Sequence, residues 1–372
     1  MFFQERGISL TALGMLEAAS NLIMGAAEVT TGAVADRWGR KTSMITGALA
    51  FATALVGLTA TPMSPAFIVA YLAWGASFSF ISGADMAFVY DSLKADGRAE
   101  RYTRVAGYAL AIEHATAAGA AAVGGWLATI DMRLCFYASA AAMLLSAAVA
   151  ATFIEPPRSE PGSVALRYRE ILRNAVALVA GRPHVRHLVL LGATTFAFSF
   201  LLLWVLLQPY GRAVGIPLWA LGLAAALLRV VSFGGSILAD RLGRGVGTQT
   251  LVAGMVLALI GSQVILWGAP ARGTLLAFAV IAFASSVMRP TLSALLNREI
   301  PSEQRATILS IQSLLWISLV GIGDLLLLPI AERAGVPAAI AVSAVLSVVC
   351  LVPLLRLWAR SGAVEKATAL AT

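Results

Sequence analysis

Long apolar runs alternate with short charged loops along nearly the whole chain. Each run is about 20 residues long, enough to cross a hydrocarbon core of about 30 Å as a helix. The apolar positions are continuous rather than alternating, so the runs predict helices and not strands. Eleven spans follow: Thr11–Val34, Thr42–Ala60, Phe67–Tyr90, Arg104–Ala128, Leu134–Ile154, Leu188–Gln208, Leu218–Ala239, Thr248–Trp267, Thr274–Leu296, Ala306–Ile330 and Pro337–Trp358. The pattern breaks between Glu155 and His187. That stretch opens with the polar, Pro-rich EPPRSEPGS, which suits a linker. It continues as VALRYREILRNAVALVA, where Leu172, Ala175, Val176 and Val179 share one helical face and Arg169 and Arg173 another. Such a helix either lies on the cytoplasmic membrane surface or is a solvated linker. The expected organisation is an all-α polytopic protein: a bundle over residues 1–154, a linker over 155–187 and a second bundle over 188–372.

A repeat divides the chain in the same way. GAVADRWGRK, Gly32 to Lys41, returns in part as SILADRLGRG, Ser236 to Gly245. The shared core Ala-Asp-Arg-x-Gly-Arg begins at Ala35 and again at Ala239, an offset of 204 residues. A charged turn between apolar spans, present once per half, marks two related bundles. The offset pairs five spans of the first half with five of the second. The span Leu188–Gln208 would have its partner at positions −16 to 4. The expectation is a twelve-helix design without its first helix, with a true eleven-helix variant as the alternative.

Composition fits a bilayer: 59% hydrophobic, 12% charged, mean hydropathy +0.84, against about 25% charged in soluble domains. The net charge of +8 is a topology signal and not a nucleic-acid footprint. Of the 27 Lys and Arg residues, 20 fall in one alternate set of loops and 5 in the other. The basic set is expected to be cytoplasmic. This places the C-terminus inside and the protein in the cytoplasmic (plasma or cell inner) membrane. Cys135 and Cys350 show neither a disulfide framework nor metal spacing. The opening MFFQERGISL lacks the layout of a cleavable signal.

Ionisable residues inside spans are costly and are functional candidates. Glu28, Asp85, Glu113 and His114 lie in the first half, Arg229 and Arg289 in the second. At about 1.5 Å per residue, several sit at similar depth, roughly 9–16 Å from the cytoplasmic ends. Glu113, Glu28 and Asp85 are candidates for proton coupling, and Arg229 and Arg289 for binding an anion; charge pairing that only fixes packing is the alternative. Glu17 and Asp324 lie nearer the outer ends, where structural roles are expected. Phe196, Phe200 and Trp204 recur every four residues, and Gln312 and Trp316 do so in the tenth span. These stripes either line a cavity for an apolar or aromatic substrate or serve packing. Trp219, Trp267 and Trp358 are expected as interfacial anchors.

The loop Gly32, Asp36, Arg37, Gly39, Arg40, Lys41 resembles the signature Gly-x-x-x-Asp-Arg-x-Gly-Arg-Arg/Lys of the major facilitator superfamily. FFQERGISL, SGADMAFVYDSL and NREIPSEQRATILS also resemble family segments. The resemblance implies two pseudo-symmetric helical bundles. It further implies that Arg40 pairs with Asp91 and that Asp36 faces the helix beginning near Ala306, latching the halves on the cytoplasmic side; the alternative is that these charges only set topology. In the second copy Ser236 replaces the first Gly and Gly245 the last basic residue, while Asp240, Arg241 and Arg244 remain. The family's antiporter run Gly-Pro-x-x-Gly-Gly stands here as Ala120-Ala121-Ala122-Val123-Gly124-Gly125, which keeps the glycines and loses the proline.

The leading function is secondary active transport of a small molecule by alternating access. Proton-coupled efflux of drugs or metabolites is a candidate form, with H+ as a candidate partner beside the lipid bilayer. The alternative is a non-transporting or incomplete relative: a sensor, a partner subunit or a truncated product. No nucleotide-binding loop is present. His184 and His187 have no further ligand nearby in the sequence, so neither a cofactor, a metal nor an enzymatic activity is expected. A monomer is expected.

Overall fold

The computed structural model describes residues 2–82, 84–98, 101–156, 173, 176–300 and 305–371. Within these, the side chains of 28–37, 82, 103–104, 107, 110–111, 114, 305–307 and 362–371 lie outside the description. The chain forms two compact units: Met1–Glu160 with Leu218–Ala226, and Pro161–Pro217 with Leu227–Thr372.

The first unit opens with the short helix α1 (Phe2–Glu5), then α2 (Leu10–Trp38), α3 (Arg40–Ala60), α4 (Pro65–Ser82), α5 (Asp85–Ala95), α6 (Tyr102–Ile130) and α7 (Met132–Ala151). Helix α3 packs against α4 and α7, and α2 against α4. Small residues let these helices close: a Cβ on Gly47 would stand 2.8 Å from both Ile81 Cγ1 and Phe80 Cβ. Without a hydrophobic drive between helices in lipid, such close backbone approach supplies the packing energy. Of the glycines in the stretch Gly119–Gly125, Gly119 and Gly124 have no neighbour at the Cβ position. A Cβ on Gly125 would stand 2.7 Å from the Gly222 Cα. An aromatic cluster of Phe3, Phe67, Tyr71 and Phe136 anchors α1. Arg6 closes it by donating to Leu58 O (2.7 Å) and Thr61 O (2.6 Å) at the end of α3.

The second unit begins with α8 (Pro183–Phe200), which passes through a π-helical segment, Leu201–Leu206, into α9 (Leu207–Ala213). Then come α10 (Leu218–Val246), whose opening residues Leu218–Ala226 belong to the first unit, α11 (Thr248–Gly268), α12 (Leu276–Glu299), α13 (Arg305–Ala334) and α14 (Val336–Ala371). Helix α8 packs against α12, α13 and α14. Between α11 and α14 the fully buried Gln263 accepts from Ser343 Oγ (2.8 Å) and donates to Ser347 Oγ (3.0 Å). Polar groups at this depth are tolerated because they satisfy each other. Large apolar side chains such as Val149, Leu257, Val345 and Val349 are exposed, as helices solvated by lipid require.

Among the described residues, ten helices are long and apolar enough to cross a membrane. The predicted span Arg104–Ala128 is the 29-residue α6, of which Ala115–Ile130 is the described apolar part. Two sequence expectations change, and one span is described in two parts. The predicted Phe67–Tyr90 span matches the candidate span Pro65–Ala95, whose described parts are α4 and α5. Asp85, the first residue of α5, accepts the Met86 N–H at 2.6 Å. His184 and His187 lie in the first turns of α8, not in a linker; the helix starts at Pro183, where the missing N–H costs nothing. Trp358 is no interfacial anchor: it is buried and stacks on His184. Trp219 and Trp267 are exposed at helix ends. The predicted amphipathic linker helix lies largely outside the described residues.

Candidate functional site

The first cluster is built on the turn between α2 and α3. Gly39 has φ 99° and ψ 150°, a backbone region essentially reserved for glycine. The turn throws Arg40 and Lys41 into the first turn of α3. The Arg40 guanidinium binds the Asp91 carboxylate at 2.6 Å and also donates to Ala87 O, both on α5. Glu155, just beyond α7, accepts the backbone N–H of Arg40 (2.7 Å) and of Lys41 (2.9 Å). A carboxylate there satisfies two orphan donors and complements the helix dipole. The Lys41 ammonium donates to Phe153 O at 2.8 Å. Helix α5 thus presents both Ala87 and Asp91 to Arg40. Glu155 was missed by sequence reasoning, because one acid 115 positions from Arg40 has no local signature. The side chains of Glu28, Gly32, Asp36 and Arg37 lie on α2 outside the described residues, as does His114 on α6.

The second copy of the loop behaves differently. Asp240, Arg241 and Arg244 all lie inside α10. Arg244 pairs with Asp240 one turn back at 2.7 Å, both more than 70% exposed. The left-handed glycine is Gly247, φ 81°, not Gly243.

Among the intramembrane acids, Asp85 is half-buried and lies within electrostatic reach of Glu113 on α6, which is exposed. Glu17 accepts the Tyr71 hydroxyl at 2.6 Å, and Asp324 is fully buried.

The arginines and aromatics of the second unit form one continuous ladder. Arg289 lies 5.0 Å over Phe196. Phe196 meets Trp316 edge to face at 4.8 Å, Trp316 meets Phe200 at 5.7 Å, and Phe200 stacks on Trp204 at 5.9 Å. Trp204, inside the π-helical segment, carries Arg229 at 4.3 Å. Such segments recur at functional sites because they re-aim side chains without ending the helix. At one end of the ladder is a cavity of 230 Å³, walled by Thr195, Phe196, Arg289, Gln312 and Trp316 with Ser285, Ser293 and Ser313. Gln312 donates to Val189 O at 3.3 Å, in space that Gly192 leaves open. Sequence spacing placed Phe196, Phe200 and Trp204 on one face; their meeting with Trp316 and both arginines belongs to tertiary structure.

A family profile described as Major Facilitator Superfamily matches residues 1–323. The chain belongs to the Major Facilitator Superfamily. It is therefore an integral multi-pass membrane protein of a transporter family. Solved superfamily structures share the fold. A D-xylose-proton symporter aligns at TM-score 0.74 and 15% identity, over 94% of this chain and 87% of that one. The nucleoside transporter NupG aligns at TM-score 0.70 and 13% identity, over 96% and 92%. At these identities the likeness speaks for the superfamily fold alone. No match is found among curated proteins.

Proposed function

We propose that this chain is a secondary active transporter that carries a small molecule across the cytoplasmic membrane by alternating access. The cavity of the second unit carries the reading. It places a cation and two aromatic walls among membrane-spanning helices, where an ionisable group is expensive unless it serves a purpose. The Arg40–Asp91–Glu155 cluster would govern opening on the cytoplasmic side. Asp85 and Glu113 are the candidates for proton coupling, since carboxylates are the groups that carry protons in such carriers.

The test is counterflow. Proteoliposomes preloaded with one compound from a panel of unlabelled sugars, nucleosides, organic acids and hydrophobic amines should accumulate its labelled form transiently. Flat traces for every compound, from protein shown to be folded and inserted, would favour a non-transporting superfamily member. If protons are coupled, Glu113→Gln should leave counterflow intact and abolish uptake driven by a pH gradient.

A further inference from the structure

Resting on that transport reading, we propose that the second-unit cavity is a binding site for a small aromatic carboxylate, a single planar ring bearing one negative group. Arg289 lies against the face of Phe196, and among the described residues no carboxylate pairs with it. A ring face holds a guanidinium in place without neutralising it. The site therefore keeps a full positive charge beside apolar walls, which disfavours cations and leaves a neutral ligand facing an unmatched charge. The planar fork of arginine suits a carboxylate in two-point contact. Arg289 is the sole cation among the described lining residues, which fits one negative charge better than two.

The walls specify the rest of the ligand. Phe196 and Trp316 stand at 90° to each other, so a third ring entering the corner meets one face and one edge, the arrangements aromatic pairs prefer. Thr195, only 3% exposed, lines the cavity as a small polar side chain whose hydroxyl has no hydrogen-bond partner among the described residues. Size sets the limit. The volume of 230 Å³ exceeds the about 150 Å³ that accommodates benzene and falls short of the roughly 300–1,000 Å³ of drug-sized pockets. One ring with a carboxylate fits within these walls.

The probe is radiolabelled benzoate, titrated onto the full chain in nanodiscs of zwitterionic lipid. Competition uses benzamide, which lacks the charge, and cyclohexanecarboxylate, which lacks the ring. Benzoate should bind at least about ten-fold tighter than benzamide, the scale of a charge-assisted contact, and about three- to ten-fold tighter than cyclohexanecarboxylate. Arg289→Gln should erase the first preference and Arg289→Lys should restore part of it. Trp316→Leu should erase the second preference alone. Each variant is compared at matched monodispersity and melting temperature. Equal affinity for benzoate and benzamide, an Arg289→Gln variant that keeps the preference, or no benzoate binding by the wild-type protein would overturn the site. Counterflow separates the two readings. The benzoate pattern without counterflow of any compound keeps the site and removes transport; counterflow of another compound without the pattern keeps transport and removes the site.

Discussion

The two copies of the Ala-Asp-Arg-x-Gly-Arg motif have nearly the same letters and different structures. In the first, the motif's Gly39 is the turn, at φ 99°, and the following Arg40 reaches Asp91 on another helix. In the second, the matching Gly243 lies inside a helix that runs on to Val246, and the turn falls at Gly247. Arg244 then pairs one turn back on its own helix, in the open. The partners explain the divergence. The 204-residue offset carries Asp91 onto Leu295 and Glu155 onto Ala359. With no acid at either place, Arg244 lacks the cross-helix partner that Arg40 has, and among the described residues no acid caps the start of α11. What makes the first copy a built cluster is the pair of acids far away in sequence, not the motif alone.

The largest break should come at Asp91. Its ion pair with Arg40 is 25% and 32% exposed, between the surface case of 0–1 kcal/mol and the buried case of 3–5. Asp91→Ala should therefore lower stability by about 2 kcal/mol, seen as a falling melting temperature in detergent, and should reduce transport by more than the loss of folded protein explains. Unchanged melting and unchanged uptake would reduce the cluster to a bystander. The glycines sharpen the contrast by sign. Gly39→Ala and Gly247→Ala force a side chain into a region only glycine tolerates, at about 1–3 kcal/mol each. Gly243→Ala meets nothing closer than Leu251 Cδ2 at 3.8 Å and should stabilise the helix by about 0.5–1 kcal/mol. A destabilising Gly243→Ala would mean that the turn sits where the motif suggests.

Most of the fold was legible because lipid imposes one demand on the backbone, and an apolar run of sufficient length answers it. Arg40 and its turn were readable from the motif. Glu155 was not, because capping by an acid from a distant loop leaves no periodicity to detect. The aromatic stripe on α8 was visible as spacing, yet whether it packed or lined a cavity depended on Trp316 and Arg289, brought in by two other helices.

Glu155→Ala tests the smaller half of the cluster. It removes two charge-assisted bonds to backbone donors that remain at the start of α3. Loss of such a cap costs about 1 kcal/mol. Glu155→Asp, one methylene shorter, should recover part of it, while Glu155→Gln keeps an acceptor but loses the charge and should fall between. A melting temperature unmoved in all three would make the contact incidental.

The smallest effect belongs to the second copy. Asp240 and Arg244 are 77% and 72% exposed, and an exposed pair one helical turn apart contributes about 0.3–0.5 kcal/mol. Asp240→Ala also exchanges a weak helix former for the strongest one, which offsets part of even that loss. The net change in melting should be close to zero. The informative comparison is the double variant with Asp91→Ala. If the two clusters act independently, their effects add within about 0.5 kcal/mol. A larger excess would mean that the second copy supports the first despite its open geometry, and the contrast between a built cluster and a relic of repetition would have to be withdrawn.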